Sequence, residues 1–555
     1  MVKQKIVAAI KYKFGFLTRA QNTILSAAAI IALTSGINAI LGIVKSRLLS
    51  AYFGTSSELT VFFTADKIPS LVYSLFVVGA LSTVFIPIYT EARKESEKKS
   101  QDIASVIITV STLLFIVIGS FVFIFAGNLM KILSVSQFTP LEIQKGALLL
   151  KIMLGAQIIL LISSFITGLL HSHNRFLLTS LAPLLYNLGL IFGIIVFSNK
   201  YGILGPTYGT MIGALAHLAI QLPGVKSIKY KYVFLLKLKN GYLRKFLELV
   251  PPRLLSILIA NGLNTINNSL AILISKPAAI YLKFASQLQF FPINLFAISI
   301  ASAALPTLSR QATIKNKDRF KKILITSVHQ MLFLVIPFSI ILMVLRVPLI
   351  RLAYGTSKFP WEATVKTSYT LAFYSISIFA QGTVYILNRA YYALKDTKTP
   401  VKISVITVIL NVGLSILFTR KLNLGVWSIS LSYSITSIID MLALLYLLAK
   451  KLGGFDLKQT IVPFIKMSWA ATLMGIGIYA PLKLLDKFVL DSTRTIQLLL
   501  ITAVTSFLGV RIYLLFNKIF KVKETELFGE LIQKINLKKI IKKSNVPNEI
   551  TEIEY

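Results

Sequence analysis

Long uninterrupted apolar runs restrict the fold of this sequence more than any other feature. Runs of about 20 residues alternate with short polar breaks, and 55% of the 555 residues are hydrophobic whereas only 14% are charged. A helix of about 20 apolar residues crosses a bilayer core roughly 30 Å thick and satisfies its own backbone hydrogen bonds in lipid. The runs are continuous and lack the period of two that a transmembrane barrel requires. The sequence therefore predicts an all-α, polytopic membrane protein.

About fourteen spans are predicted, and their loops carry most of the charge. With a cytoplasmic N-terminus, the loops on that side hold roughly twice as many lysines and arginines as the opposite side, which favours this orientation. An even number of spans then returns the C-terminus to the cytoplasm. The predicted spans are 24–43, 60–90, 103–127, 147–170, 177–198, 202–224, 245–273, 279–309, 322–347, 364–391, 400–419, 424–449, 464–485 and 495–517.

Two pairs of segments offset by about 220 residues indicate an internal repeat. The segment ending at Pro87 resembles the one ending at Pro306, and the segment around Pro183 resembles the one around Pro400. Six spans separate the members of each pair, so the copies share one orientation, as in transporters built from parallel repeats. The predicted organisation is a basic arm (1–23), a first lobe of six helices (24–224), a basic linker (225–244), a second lobe (245–449), two further helices (450–517) and a basic tail (518–555).

The composition excludes several classes of function. The net charge of +38 comes from basic residues scattered through loops without any nucleic-acid-binding motif, so we predict no nucleic-acid partner. This net charge reflects either the excess of basic residues in cytoplasmic loops together with a lysine-rich composition, or an attraction for anionic lipids or substrates. The chain has no cysteine, and it shows no P-loop, catalytic triad or histidine–carboxylate metal site. We therefore expect a transporter with no catalytic residues, no metal and no ATP hydrolysis of its own.

Ionisable residues inside the predicted spans mark candidate binding positions, because charges in the membrane usually face a cavity or a pathway. Lys67 and Arg253 lie in corresponding regions at the start of each lobe, and two cations facing one cavity suit a phosphate or pyrophosphate. For Lys67 the alternative is a pair with Asp66 or a side chain that extends to the interface. Lys45 and Arg47 follow the predicted end of the first span.

The seventh span carries a stripe of amide side chains. Spacings of three and four place Asn261, Asn264 and Asn268 on one helix face. Such a stripe either lines a wet cavity or joins neighbouring helices through hydrogen bonds.

Several segments together resemble the MurJ (MviN) family of lipid II flippases. The stretch from Gly36 to Pro87, with Leu41-Gly42, Lys67-Ile-Pro69 and Phe85-Ile-Pro87, resembles the first two helices of that family. The most specific match is Tyr391-Tyr-Ala-Leu-Lys-Asp-Thr-Lys-Thr-Pro400. The ordered resemblance covers roughly residues 20–520.

This resemblance implies the multidrug/oligosaccharidyl-lipid/polysaccharide exporter fold, with two lobes around a cationic cavity and a lipid-tail groove made by the last two helices. The implied activity moves lipid II, the undecaprenyl-pyrophosphate-linked peptidoglycan precursor, from the inner to the outer leaflet of the bacterial cytoplasmic membrane by alternating access. The implied partners are lipid II and membrane lipids, and the implied state is a monomer. No cofactor is implied, and the driving force is the membrane potential or a coupling H⁺ or Na⁺.

The chain departs from the family where helices 1, 2 and 8 of better-known members carry arginines associated with the pyrophosphate. Lys45 replaces one of them, Tyr73-Ser74 replaces the pair in helix 2, and Gln287 stands at the helix 8 position. Some members bind sodium through a carboxylate where this chain has Asn268. The resulting candidates for substrate binding are Lys45, Arg47, Lys67, Arg253, Asn261, Asn264 and Gln287, and those for an ion or the cavity are Asp66, Asn268 and Asn411.

Two rival functions follow from the reduced arginine set. One is an exporter of the same superfamily that carries another lipid-linked saccharide or a drug. The other is a non-transporting scaffold of cell-envelope assembly. The number of spans and the Lys395–Pro400 segment favour lipid II over another exporter, whereas a collapsed cavity between the lobes would favour the scaffold.

Overall fold

A computed structural model of the chain describes residues 24–80, 84–236, 241–244, 251–314, 316–488 and 494–526. Regular secondary structure within these ranges is helical, with no strand, so the predicted all-α fold is confirmed. The predicted N-terminal arm (1–23) and most of the predicted tail lie outside the described residues.

The helices follow one another with short connections. We number them α1 (Ile24–Phe53), α2 (Ser57–Ala65), α3 (Lys67–Ala80), α4 (Ile86–Glu95), α5 (Glu97–Ile124), α6 (Ala126–Leu133), α7 (Pro140–Ser172), α8 (Phe176–Tyr201), α9 (Leu204–Ala219), α10 (Leu222–Ser227), α11 (Pro251–Ile274), α12 (Ala278–Pro292), α13 (Ser299–Thr313), α14 (Lys317–Val344), α15 (Arg346–Tyr354), α16 (Trp361–Ser375), α17 (Ile378–Ala393), α18 (Lys398–Ile416), α19 (Trp427–Leu452), α20 (Leu457–Phe488) and α21 (Thr495–Ile519). Two π-helical segments, Ile293–Ile298 and Leu417–Lys421, continue α12 and α18.

Within the described ranges, ten helices are long and apolar enough to cross a membrane, and α16 with α17, bent by 45°, makes an eleventh. Each of the fourteen predicted spans overlaps at least one helix. Three predicted spans remain, the first, sixth and seventh, and they correspond to α1, α9 and α11. Helix α9 has only 16 residues, and α1 and α11 include side chains outside the described set. The count of fourteen fits this pattern and stays a prediction.

The first predicted span was too short. Helix α1 continues past residue 43 to Phe53 and ends at Gly54, whose φ of +57° is a conformation that favours glycine. Lys45 and Arg47 therefore lie inside the helix, and not beyond its end as the sequence predicted. A Cβ at Gly54 would also lie 1.9 Å from the Lys358 carbonyl oxygen, so no larger residue fits there.

The second predicted span, 60–90, is not one helix. It breaks at Asp66, the C-cap of α2, and α3 begins at the next residue with Pro69 in its first turn, where proline is tolerated. The Ser70 hydroxyl donates a hydrogen bond to Asp66 Oδ1 at 2.9 Å. The break therefore holds a carboxylate and the start of a helix inside a membrane span.

By their contacts, the described residues fall into two compact units. The first comprises those within 1–291, 349–374 and 401–436, and the second those within 292–348, 375–400 and 437–555. The lobe boundaries predicted from the sequence stay predictions.

In the first unit, α8 and α9 pack through glycines. A Cβ at Gly193 would lie 2.4 Å from the Gly209 Cα, and one at Gly189 would lie 2.4 Å from the Gly213 Cα. In both helices the glycines are four residues apart, the spacing that lets two membrane helices bring their backbones together. The contact surface of this helix pair is therefore backbone against backbone.

In the second unit, Asp396 fixes the start of α18 within the segment that most resembles the MurJ family. Its carboxylate accepts hydrogen bonds from the Thr399 amide (3.0 Å), the Thr399 hydroxyl (2.8 Å) and Lys451 Nζ (2.9 Å). Partial burial opposes ionisation, but the bonds from Lys451 and Thr399 outweigh it and lower the pKa of Asp396 to about 2. The carboxylate is therefore a structural group that ties α18 to α19.

We expect Asp396→Asn to lower the free energy of unfolding by about 1–2 kcal/mol at neutral pH, because the variant loses the charge-assisted bonds. A carboxyl whose pKa is lower in the folded state stabilises the fold above its unfolded pKa near 4, and that contribution disappears as the pH falls to about 2. As the pH is lowered through this range, the melting temperature of the detergent-solubilised protein should fall more steeply for the natural protein than for the variant. Glu362→Gln, which neutralises an exposed carboxylate, is the control.

Candidate functional site

Helix α12 lies against both α1 and α2 in the first unit. The rings of Phe63 and Phe284 are 5.9 Å apart and meet edge to face. Ser46 Oγ donates to Gln287 Oε1 at 2.8 Å, and Gln287 Nε2 donates to the Gly42 carbonyl at 3.0 Å. These contacts bring the predicted binding residues of the first two spans together with the eighth.

Three lysines meet at this junction, and we call Lys45, Lys67 and Lys283 the lysine cluster. The charge of Lys283 repels those of Lys45 and Lys67, and Asp66 attracts both. Lys45 and Lys67 are half-buried, whereas the Lys283 side chain is exposed. Lys283 acts on each of the other two lysines, and like charges inside membrane spans are unfavourable unless an anion joins them.

Lys45 is oriented by a chain of amides. Its Nζ donates to Asn187 Oδ1 on α8 at 2.9 Å, and Asn187 Nδ2 in turn donates to Asn38 Oδ1 on α1 at 2.8 Å. Asn187 is buried, so its own position is fixed by packing. An ammonium has three donors, and this bond uses one of them.

Lys67 stands at the first position of α3, directly after the break at Asp66. The N-terminal end of a helix carries a partial positive charge and unpaired amides, which favour a bound anion. At this break the C-terminal end of α2 adjoins the start of α3, so the positive potential there comes from the lysine cluster.

Lys283 was missed by the sequence analysis, which assigned the position in the eighth span to Gln287. The two residues are one helical turn apart on α12 and so share a face. The sequence feature that could have identified Lys283 is its position as a lysine within the apolar stretch 279–309. The chain thus presents three lysines, from the first, second and eighth spans, where the family resemblance led us to look for arginines.

Arg47 makes a different contact. Arg47 Nη1 donates to the Leu352 carbonyl at 2.6 Å, and Ser50 Oγ donates to the Tyr354 carbonyl at 2.6 Å. Two further bonds join the same segments, from Thr356 Oγ1 to the Ser50 carbonyl (3.1 Å) and from Lys358 Nζ to the Tyr52 carbonyl (2.8 Å). We call these four bonds between residues 47–52 and 352–358 the clasp.

The amide stripe of α11 faces the two halves of the second span. Asn261 Nδ2 donates to Ser74 Oγ on α3 at 3.1 Å, and Asn268 Nδ2 donates to Thr64 Oγ1 on α2 at 3.2 Å. Asn264, which lies between them, is exposed. Asn261 and Asn268 therefore join α11 to α2 and α3.

Two further predicted residues are on α11 and α18. Arg253 is in the first turn of α11, and its side chain lies outside the described residues. Asn411 is buried on α18 and donates from Nδ2 to Thr436 Oγ1 at 3.1 Å. Its Oδ1 and the Ser415 hydroxyl, one turn further on, are buried without a hydrogen-bond partner in the described part of the chain. No cluster of three or more His, Asp or Glu side chains suited to a metal occurs among the described residues.

The sequence profile of the family described as "Lipid II flippase MurJ" matches residues 49–503. The lipid II flippase MurJ of Thermosipho africanus is 28% identical over 498 residues, which covers 90% of this chain and 97% of that protein. The probable lipid II flippase MurJ of Thermotoga maritima is 26% identical over 496 residues, which covers 88% of this chain and 94% of that protein.

Solved structures agree with the sequence relatives. A lipid II flippase MurJ in an inward closed conformation superposes with a TM-score of 0.73 at 26% identity, and the match covers 89% of this chain and 98% of that one. An inward-facing multidrug transporter of the MATE family, in the MOP superfamily, has the same fold, with a TM-score of 0.64 at 12% identity over 75% of this chain and 94% of that one. Because the profile spans most of the sequence, the chain belongs to the lipid II flippase MurJ family.

Proposed function

We propose that this protein moves lipid II from the inner to the outer leaflet of the bacterial cytoplasmic membrane, without enzymatic turnover of its own. The lysine cluster at the start of α3 is the observation that carries the proposal, because a pyrophosphate is an anion of matching charge. Membership of the MurJ family and the names of the relatives support the choice of cargo.

Each cation has a distinct part in binding the pyrophosphate. Lys45, held by Asn187, offers its remaining donors from α1, and Lys67 adds its charge from the start of α3. Lys283 reaches the headgroup from α12, and Gln287 on the same face supplies an amide. Arg253 is proposed to contribute from α11.

Alternating access is proposed to work through the clasp. With a cytoplasmic N-terminus, α1 runs outward and its C-terminal end lies on the external side, where the clasp joins it to residues 352–358. We infer that the clasp keeps this side closed while lipid II enters from the inner leaflet, and that its four bonds break when the headgroup leaves.

The energy source is proposed to be the membrane potential, because an inside-negative potential favours outward movement of an anionic headgroup. A coupling H⁺ or Na⁺ that resets the empty carrier stays an alternative. The unpartnered oxygens of Asn411 and Ser415 are where we would look for a sodium ion. We propose a monomer with both termini in the cytoplasm.

The direct test is growth of a bacterium whose own lipid II flippase can be switched off. We expect this protein to sustain growth when membrane expression, measured in parallel, is adequate. Growth would exclude the scaffold and the carriers of unrelated cargo. Arrest despite good expression, together with no binding of lipid II to the purified protein, would contradict the proposal and favour another exporter of the superfamily.

A further inference from the structure

Helix α19 carries a single carboxyl, Asp440, within its membrane-spanning stretch, and the proposed headgroup site does not use it. Asp440 shares a helix face with Leu444 and Leu448, which are buried. Leu442 and Tyr446, on the other side of the helix, are exposed. Oδ1 of Asp440 is buried without a hydrogen-bond partner among the described residues, although the side chain as a whole is half-buried. An ionisable group within a membrane span is costly and usually serves the passage of an ion or a proton.

Helices α17 and α19 lie side by side and run in the same direction. The Tyr391 hydroxyl donates a hydrogen bond to the Leu444 carbonyl at 2.9 Å. Lys451 Nζ donates to Asp396 Oδ2 at 2.9 Å, and each of these residues lies further along the chain than its counterpart in the first pair. Because the second contact is C-terminal to the first in both segments, the two helices are parallel.

Asn388 on α17 places a second buried oxygen in the same region. Asn388 precedes Tyr391 by three residues, so the two share a face of α17. Asp440 precedes Leu444 by four residues and shares a face of α19 with it. Asn388 and Asp440 therefore lie on the contacting faces of the two helices, at nearly the same level. Asn388 Oδ1, like Asp440 Oδ1, is buried and has no hydrogen-bond partner in the described part of the chain.

No described charge neutralises the Asp440 carboxyl. The titratable groups on the facing stretch of α17 are Tyr385, Arg389 and Tyr391, and the last of these is bonded to the Leu444 carbonyl. Within the described ranges, no charged side chain acts on Asp440, Arg389 included. A cationic side chain is therefore not the partner of this oxygen.

Two acceptor oxygens cannot bond to each other unless a proton joins them. A carboxylate only accepts hydrogen bonds, whereas a protonated carboxyl has one O–H to donate, and an amide oxygen accepts it. Addition of one proton to Asp440 would therefore remove the charge from the span and give Asn388 Oδ1 a donor.

We propose that Asp440 is a proton-binding site in which the protonated carboxyl donates a hydrogen bond to Asn388 Oδ1. The carboxylate takes a proton from water to form the carboxyl, and on release the proton returns to water and the bond is lost. Because this bond joins α17 to α19, the bound proton favours the arrangement in which the two helices are packed together. The role of the proton rests on the proposed function: it is the coupling ion that resets the empty carrier.

Dicyclohexylcarbodiimide, an apolar reagent that reacts with protonated carboxyl groups in membranes, tests proton binding without any cargo. With the full-length protein in neutral detergent, we expect mass spectrometry to detect the adduct on Asp440, in an amount that falls as the pH is raised. Asp396, which is ionised, and Asp318, which is exposed on α14, should stay unlabelled. In Asn388→Ala, loss of the bond to the protonated form should lower the midpoint pH of labelling by about 0.7 unit. Asn199→Ala, the same change at an exposed position on α8, should leave the midpoint unchanged.

Three results of the labelling experiment would overturn the proton site. Absence of the adduct on Asp440 at every pH would mean that its carboxyl is not protonated. A higher midpoint pH in Asn388→Ala would mean that the amide donates to an ionised carboxylate. Protection of Asp440 by Na⁺ at constant pH and ionic strength would mean that the site binds a metal cation.

Flipping of fluorescent lipid II in vesicles held at zero voltage tests the role of the proton. We expect an imposed pH gradient to change the rate of the natural protein and of Asp318→Asn, and this response to be lost in Asp440→Asn. A response that persists in Asp440→Asn would contradict the coupling role while the proposed function stands. If the natural protein moves no lipid II but Asp440 is labelled as expected, the proposed function fails and the coupling role fails with it, whereas the proton site stands.

Discussion

Replacing Lys67 or Lys283 with glutamine is expected to lower the rate of lipid II transport at least tenfold in each single variant. A hydrogen bond to a charged group contributes about 1.5–3 kcal/mol, which corresponds to roughly 10- to 100-fold. The loss should be large here because, in the proposed site, the two side chains bind one anion from different helices and neither can replace the other. The measurement is flipping of fluorescent lipid II in vesicles that contain the purified protein, alongside growth in the depleted strain.

The controls separate charge from folding. Lys67→Arg and Lys283→Arg keep the charge and should keep most of the activity, whereas Lys366→Gln changes an exposed lysine on α16 and should have no effect. Arg253→Gln is expected to impair transport in the same way as Lys67→Gln. Wild-type rates in both lysine variants would show that the lysine cluster is not the headgroup site.

The second large effect is expected at the contact between α8 and α9. Gly193→Ala should lower the free energy of unfolding by about 3 kcal/mol, because its methyl group would lie 2.4 Å from the Gly209 Cα and 2.6 Å from the Gly205 carbonyl oxygen. Atoms of the backbone cannot rotate away as a side chain can, so the two helices must separate. The readout is the melting temperature and the monodisperse yield in detergent.

Gly127→Ala is the matched control, since it makes the same change in α6 at a position where a Cβ would meet nothing within 4 Å. Alanine is the better helix former, so this variant should be as stable as the natural protein or slightly more stable. Equal melting temperatures for the two variants would mean that the α8–α9 backbones are not in close contact.

Much of the fold was predictable because a segment that crosses lipid must be an apolar helix of about 20 residues. Apolar runs of the right length gave the helices, whereas the pairing of spans indicated by the proline repeats stays a prediction. The break at Asp66 was not predicted, because hydropathy averaged over a window does not register a single polar pair before Pro69. The glycine contact also escaped notice, since Gly193 and Gly209 meet only through tertiary packing.

The sequence allowed prediction of which kinds of residue form the site, but not of how those residues are arranged. Lys67 was identified because cations inside a span are costly, and Lys45 because it follows the predicted first span and replaces a family arginine; the structure places both near Lys283. Lys283 satisfies the same criterion but was passed over when the eighth span was compared with the family at Gln287. Arg47 is equally basic, yet its described bond is to the Leu352 backbone, a distinction that only three-dimensional contacts reveal.

The free energy of the four hydrogen bonds in the clasp can be compared with the work that the membrane potential does on a charge. Its four hydrogen bonds, at about 1 kcal/mol each, amount to roughly 4 kcal/mol. A charge that crosses the whole membrane field gains about 2.3 kcal/mol per 100 mV, so the two charges of a pyrophosphate gain about 4.6 kcal/mol at that voltage. The two quantities are nearly equal, so in the proposed mechanism the membrane potential supplies about what is needed to open the clasp ahead of an outward-moving dianion. In the same proposed mechanism, a membrane that has lost half its voltage would supply only about half of the free energy needed to open the clasp.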